Sequence, residues 1–386
     1  MTMATNTHLL NCPPLRFPEF SDPWQQTTLG EVAEIKKGSG ISKDQLSLQG
    51  SPCILYGELY TTYSSEVIRE IRSHTEINPS TLILSQAGDV IIPSSGETAI
   101  DIAVARCVLV NNVALGGDLN VIRSLTTDGR FLAYLLNGPK KREIAEFAQG
   151  IAVVHLYGRD LSKLNIFLPS IAEQRKIAEF LSLIDERIET QRQTIEEYKN
   201  LRSATVKEVS SRIVEWDSLE SLVDNGAILL RRGEIIPRSE YSSTNQYPVY
   251  SSSVKNKGLM GYTDKFMFED ERITWSIDGG GDLFYRHPHK YSVTNVCGIL
   301  EIVGEYDYRF LCAILQRQHL RLRFDYQTKA HPSVIVKLYK VPRIHLEQQV
   351  HYGVLFASID ERIEVEEKLL GRYEEQKQYL LRKMFV

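Results

Sequence analysis

The side chains in this 386-residue sequence that could do chemistry gather on glycine- and serine-rich turns. Lys36-Lys37-Gly38-Ser39-Gly40 is a basic glycine turn, and Tyr56-Gly-Glu-Leu-Tyr60-Thr-Thr-Tyr63 sets three tyrosines within one short stretch. A second basic turn, Arg231-Arg232-Gly233, comes later. It is followed by Tyr247-Pro-Val-Tyr250-Ser-Ser252, by Asn256-Lys257-Gly258 and by Asp278. Arg317, Arg321, Arg323, Lys329, His331 and Lys337 form a loose basic tract beyond them. Lys and Arg neutralise phosphates, while Arg, Asn, Ser and Tyr on loops offer donors and acceptors to base edges. These residue types make a binding vocabulary that could grip phosphates and read base edges. Tyr and Ser at turns are also ordinary furniture of strand edges, so the pattern alone leaves both readings open.

Signatures of catalysis are missing. No G-x-x-x-x-G-K-[ST] phosphate loop occurs, and Gly38-Ser-Gly40 lacks the third glycine and the strand-to-helix setting of a dinucleotide site. Neither G-x-S-x-G nor H-E-x-x-H is present. His287-Pro-His289 lacks a third ligand at metal spacing, so no metal is expected. Gly279-Gly-Gly281-Asp282 reads as a turn or contact loop rather than a phosphate cradle. Asn11-Cys12-Pro13-Pro14-Leu15 does not make the Asn/Asp-Pro-Pro-aromatic tetrapeptide of an amino-methyltransferase. Asp185 and Glu189 could pass for a carboxylate pair, but with Arg187 and Arg192 nearby they read as a solvated helix face. Cys12, Cys53, Cys107, Cys297 and Cys312 are odd in number and widely spaced, which suits a reducing cytoplasm. Met1–Leu10 is polar and unlike a signal peptide, and no run of about 18 apolar residues suggests a membrane span.

The elements that must hold these turns are announced by a repeat. Ile184-Asp-Glu-Arg-Ile-Glu189 recurs as Ile359-Asp-Glu-Arg-Ile-Glu364, 175 positions on. Around the first copy Ile177, Leu181, Ile184, Ile188, Ile195 and Tyr198 step by fours and threes. Around the second, Tyr352, Phe356, Ile359, Ile363, Leu370 and Tyr373 do the same. Such a seam predicts two long paired helices, entered just after Pro169 and Pro342. The blocks before them look β-rich, with Thr81–Leu84, Asp89–Ile92, Ala103–Val110, Arg272–Ile277 and Val293–Ile302 as strand-like runs. Short helices are expected at Phe131–Asn137 and Phe310–Gln316.

The predicted plan is an α+β chain: a β-rich globule at 1–168, a long helix at 169–212, a second globule at 213–343 and a second long helix at 344–386. The helices are expected to pair intramolecularly and antiparallel as a coiled coil, with an internal pseudo-two-fold repeat. Formal charge is −4 overall, with 14 basic against 17 acidic residues in 1–168 and 17 against 16 in 213–343. Neither globule is a strong polyanion magnet, so tight DNA binding would draw on charge from partners.

The whole chain resembles the specificity subunit of type I restriction–modification systems. The likeness rests on Leu15-Arg-Phe-Pro-Glu-Phe20 with Trp24, Leu29-Gly-Glu-Val32, Tyr247–Ser252, Gly258–Gly261, Ile273-Thr-Trp275, Ser292–Gly298, Pro169–Ala178 and the duplicated Ile-Asp-Glu-Arg-Ile. It implies two target-recognition domains, each reading half of a split DNA site, with the helices as spacer ruler. It also implies docking of two methyltransferase subunits, which restriction subunits join. S-adenosylmethionine, ATP and Mg would belong to those partners, leaving this chain without a cofactor, a catalytic residue or a membrane contact. Tyr352-Gly353 stands where the family has Ile-Ala, and Leu346-Glu-Gln-Gln349 is a drifted copy of Ile171-Ala-Glu-Gln174. These departures bear on how symmetrically the partners are held. A coiled-coil scaffold with two ligand-binding globules unrelated to DNA is the competing reading, which a test of DNA binding separates.

Overall fold

The computed structural model describes residues 11–150, 153–242, 244–253, 255–278, 281–322, 324 and 329–386. Met1–Leu10, Arg323 and the first two glycines of Gly279–Gly281 lie outside these. The chain forms two compact units, 1–193 with 368–386 and 194–367. Each unit holds one globule and a part of each long helix, so the structural division falls within the helices rather than at their ends.

In the first unit, strand Gln25–Thr28 pairs antiparallel with Asn165–Leu168. This ties the start of the globule to the residues that feed the first long helix, Ile171–Arg212. A five-stranded sheet runs Ala33–Lys37, Leu119–Ser124, Asp89–Pro93, Arg106–Val108, Val67–Ile68, and only its last pair is parallel. Asp89-Val-Ile-Ile-Pro93 is buried throughout because both sheet faces are covered. Val90, Ile92 and Ile122 join a core with helix Gly129–Asn137, while Ile91, Val121 and Leu119 join a second core with Ile54 and Leu59. The period of two in a strand divides one run between two cores. A smaller sheet orders Ala114–Leu115, Ser51–Ile54, Ser73–Thr75, Leu46–Ser47.

The second unit opens in the same way, with its first strand tied to its last. Trp216–Ser218 pairs antiparallel with Lys340–Pro342, just before the second long helix, Leu346–Lys383. The main sheet runs Ile228–Arg232, Cys297–Ile302, Arg272–Ser276, Leu283–Arg286, all antiparallel. A three-stranded sheet runs Leu259–Thr263, Tyr247–Tyr250, Ser292–Val293, the last pair parallel.

One device recurs in both units. Asp128 caps helix Gly129–Asn137 and Asp307 caps helix Tyr308–His319. The amide oxygens of Gln174 and Gln349, 175 positions apart, accept from the backbone N–H of Asp128 and Asp307 at 3.0 and 3.2 Å. Their amide nitrogens donate to the carbonyls of Pro169 and Ile344, both at 2.9 Å. Each buried glutamine thus rivets a long helix to its globule. Gly353 belongs to the same joint: a Cβ there would sit 2.2 Å from the Asp307 carboxylate.

Some strand expectations fail. Pro79–Thr81 is a 3-10 turn, and Leu84 makes only an isolated bridge to Ala114. Of Ala103–Val110 only Arg106–Val108 is strand, and Val293–Ile302 is broken between Val293 and Cys297. Apolar residues in these stretches are buried from turns as readily as from strands. No helix among the described residues is long and apolar enough to cross a membrane.

Candidate nucleic-acid interface

In the second unit three segments converge on the turn after Val293. Gly233 passes so close that a Cβ would lie 2.2 Å from the Val293 carbonyl and 2.4 Å from that of Thr294, so no other residue fits without backbone movement. Arg232 donates to the Asn295 carbonyl through Nη2 and Nε, at 2.7 and 3.0 Å. From the third segment, the Tyr250 carbonyl accepts the Thr294 N–H at 2.9 Å, and the Thr294 and Ser251 hydroxyls bond at 2.9 Å. Ser252 is half-buried beside them, and Asn256 and Lys257 are exposed on the same loop. Ile277 N–H donates to the Val296 carbonyl, bringing Asp278 to this edge, where its carboxylate accepts from Lys329 at 2.8 Å. His331 caps helix Pro332–Leu338, its Nδ1 accepting from Ser333 N–H at 3.2 Å. Arg231 sits one register back, paired with Glu301 at 2.9 Å and lying over the Phe268 ring. Lys257 forms an ion pair with Glu364.

The first unit builds a matching corner. A Cβ on Gly38 would lie 2.0 Å from the Gly116 carbonyl, the counterpart of Gly233 against Val293. Lys36 and Lys37 are exposed at the end of their strand, and Lys36 reaches Glu34 at 2.9 Å. The Ser39 hydroxyl accepts the Ile83 N–H. Tyr56 and Tyr60 are exposed around the short helix Glu58–Thr61, although partial desolvation pushes the Tyr60 pKa up to about 12. Tyr63 departs from the expected trio. Its ring is buried in the core with Ile54 and Leu59, and its hydroxyl accepts from Arg72 N–H at 3.3 Å, so it braces the corner from inside.

Tyr250 is likewise a buttress. The Arg286 guanidinium lies 3.6 Å from its ring centroid, and its hydroxyl is 3.1 Å from His289 Nε2. His289 Nδ1 is 2.7 Å from the His287 carbonyl, which can only accept, so the ring carries its proton on Nδ1 and takes the Tyr250 O–H at Nε2. Both nitrogens of His289 are thereby engaged within the protein. No group of three His, Cys, Asp or Glu among the described residues is placed to hold a metal. Arg286 carried no sequence signal, because a lone arginine in Leu283-Phe-Tyr-Arg286 reads as the polar side of a strand.

All twelve seam positions are buried or half-buried. Ile177, Leu181, Ile188, Ile195, Phe356 and Ile363 are buried, and Ile184, Tyr198, Tyr352, Ile359, Leu370 and Tyr373 are half-buried. Within the first unit Asp185 pairs with Lys377 at 2.6 Å, Arg192 with Glu374 at 2.7 Å, and Arg187 lies over Tyr373. Within the second, Asp360 pairs with Arg202 (Nη2 to Oδ2, 2.9 Å), Glu367 with Lys199 at 3.1 Å, and Arg362 lies over Tyr198. Shifting by 175 turns each contact of the first set into one of the second. Asp185 itself is not on a solvated face. It is 4% exposed and also takes the Tyr134 hydroxyl at 2.8 Å, because its neighbours come from the globule and from Lys377, far away in sequence. Lys377 also pairs with Glu66. Burial weakens Glu66 as an acid, Lys377 opposes this, and Asp185 adds to it, leaving its pKa raised. Burial disfavours the Lys377 charge, but the two carboxylates outweigh it and its pKa is raised.

A family model described as the type I restriction modification DNA specificity domain matches residues 21–200 and again 218–373. A curated type I specificity subunit of Mycoplasma pneumoniae is 33% identical over 113 residues, 28% of this chain and 36% of its own length. The alignment therefore spans about a third of that relative. The crystal structure of a type I restriction-modification S subunit from M. genitalium has a TM-score of 0.66 at 18% identity, covering 97% of this chain and 99% of that one. A chain from work on complex assembly and conformational transition of the type I R-M system has a TM-score of 0.53 at 16% identity, covering 96% and 99%. At these identities the likeness concerns the fold.

Proposed function

The chain belongs to the type I restriction–modification DNA specificity family, and we propose that each of its two globules reads one half of a bipartite, asymmetric DNA site. The observation that carries this reading is the paired construction of the two corners. Gly38 and Gly233 each press a basic turn against the neighbouring strand exit, presenting Lys36, Lys37, Tyr56 and Tyr60 on one globule and Arg232, Ser252, Asn256, Lys257, Asp278 and Lys329 on the other. Backbone-gripping cations beside Asn, Ser and Asp groups suit direct readout in a groove. Several of the cations already have carboxylate or carbonyl partners. They are thus pre-positioned, and engaging phosphate would exchange one partner for another. Two globules of similar build carrying different loop residues would suit an asymmetric site.

The two contact sets related by a shift of 175 support an antiparallel intramolecular coiled coil with pseudo-two-fold symmetry, which would set the unread spacer. That helical pair would dock two methyltransferase subunits in the cytoplasm, with restriction subunits joining through them. Specificity subunits are the non-catalytic components of such systems. S-adenosylmethionine and ATP with Mg would be used by the partners, in keeping with the missing motifs. Exchanging residues 213–343 for the corresponding segment of a relative, in complex with the methyltransferase, tests the reading. Mapping of methylated bases should show one half of the target changed and the other kept. Change in both halves, or in neither, overturns it.

A further inference from the structure

Arg286 is 4% exposed, too deep to touch DNA, and no ion pair joins it to a carboxylate among the described residues. Burial pulls its pKa below the ordinary arginine value, offset only in part by Tyr250, Cys297, Tyr291 and Cys312, none of which is charged at neutral pH. An unpaired buried cation is a heavy burden on a fold, so what the guanidinium holds is informative. Nε donates to the Thr274 hydroxyl at 2.9 Å, anchoring it to the central sheet. Nη2 donates to the Lys257 carbonyl at 2.7 Å, and the guanidinium carbon lies 3.6 Å from the Tyr250 ring centroid. Lys257 and Tyr250 are the two ends of the loop that carries Ser252 and Asn256.

That loop does not hold its shape by itself. Asn256, Lys257 and Gly258 have φ of 49°, 51° and 84° in succession, a left-handed run that only glycine, and less readily asparagine, adopts without strain. Such backbone persists where its surroundings over-determine it. A Cβ on Gly258 would lie 2.8 Å from the Ser251 carbonyl and 3.4 Å from Arg286 Nη2, so the loop closes tightly on the arginine. On the far side Tyr250 is held again by its bond to His289, whose ring stacks on Tyr291 at 4.6 Å.

We propose that Arg286, with Tyr250 and His289, is an internal brace that fixes the left-handed run Asn256–Gly258, making Arg286 a positioning residue for the specificity of the second half-site. This rests on the reading of that globule as a DNA reader. A guanidinium is required, because separate nitrogens must bond a carbonyl and a hydroxyl while the group lies against a ring, which a single ammonium cannot do.

The test uses the full chain in complex with its methyltransferase, with methylated-base mapping of host genomic DNA as readout. If the unsubstituted complex methylates no bipartite sequence, the DNA reading itself fails. Given a bipartite motif, Arg286→Met and Arg286→Lys should both add sequences that differ only in the half read by residues 213–343, with discrimination there reduced tenfold or more. The other half-site should stay as strict as before, a split that general loss of stability would not produce. An unchanged motif with unchanged discrimination, or equal relaxation of both halves, overturns the proposal. If neither variant assembles, Arg286 is a folding residue and the proposal fails.

Discussion

Replacing Lys377 by methionine should destabilise the first unit far more than Arg202→Met destabilises the second, although the 175-residue shift makes the two positions equivalent. Lys377 and its partners Asp185 and Glu66 have side chains 11%, 4% and 9% exposed, whereas Arg202 and Asp360 are 26% and 43% exposed. Removing one partner of a buried ion pair leaves an uncompensated charge and costs about 3–5 kcal/mol. A partly solvated pair is worth about 0–1 kcal/mol. The loss at Lys377 is sharpened because two carboxylates share its ammonium. Adding Glu66→Gln to Lys377→Met should therefore recover about 1–3 kcal/mol relative to additivity. The sign with pH is also set. Glu66 has a raised pKa in the folded state, so its ionised form opposes folding above that pKa, and the opposition is relieved as pH falls through it. Lys377→Met should thus gain stability on mild acidification. Urea unfolding gives the total change, and amide hydrogen exchange assigns it to one unit or the other. A loss at Lys377 below about 1 kcal/mol, or equal to that at Arg202, would refute the argument from burial.

Between pH 7 and 5 the second unit should weaken. Burial lowers the pKa of both His289 and His319, so their contribution is present above the ordinary value of 6.5 and is lost as pH falls through their folded values. Exchange protection of residues 194–367 should fall in that range, and a flat profile speaks against neutral histidines. Gly38→Ala and Gly233→Ala should each destabilise their own unit by about 1–3 kcal/mol through overpacking against backbone, seen as a lower thermal midpoint; neutral substitutions would mean the turns can move away. Four residues inserted between Gln193 and Thr194 and four between Leu369 and Leu370 leave every cross-helix pair named above within its own unit. The insertion adds roughly 6 Å of helix, against about 3.4 Å per base pair along one strand. The unread spacer should grow by one or two base pairs while both half-sites persist, and methylation mapping that returns the original spacer at full activity removes the ruler role.

The seam residues were legible in the sequence because helical periodicity is local: Ile177, Leu181, Ile188 and their counterparts need only a spacing of three and four to declare a buried stripe. The repeat, the helices at Phe131–Asn137 and Phe310–Gln316 and the glycine turns were legible for the same reason. The corners themselves were only half so. Gly38 and Gly233 could be seen as turns, but that a neighbouring carbonyl forbids any side chain there depends on strand exits contributed by Gly116 and Val293. Tyr63 and Tyr250 look like Tyr56 and Tyr60 in sequence, and only packing separates the inward pair, one buried and one braced, from the exposed one. Asp185 looked solvated because its nearest sequence neighbours are charged. Tertiary structure instead gave it Tyr134 and Lys377, and gave Arg286 a loop to hold. Spacing along the chain decides which face a residue occupies, but burial and charge partners depend on groups brought from tens to about three hundred residues away, and electrostatic cost is set by that assembled surrounding rather than by the residue's own type.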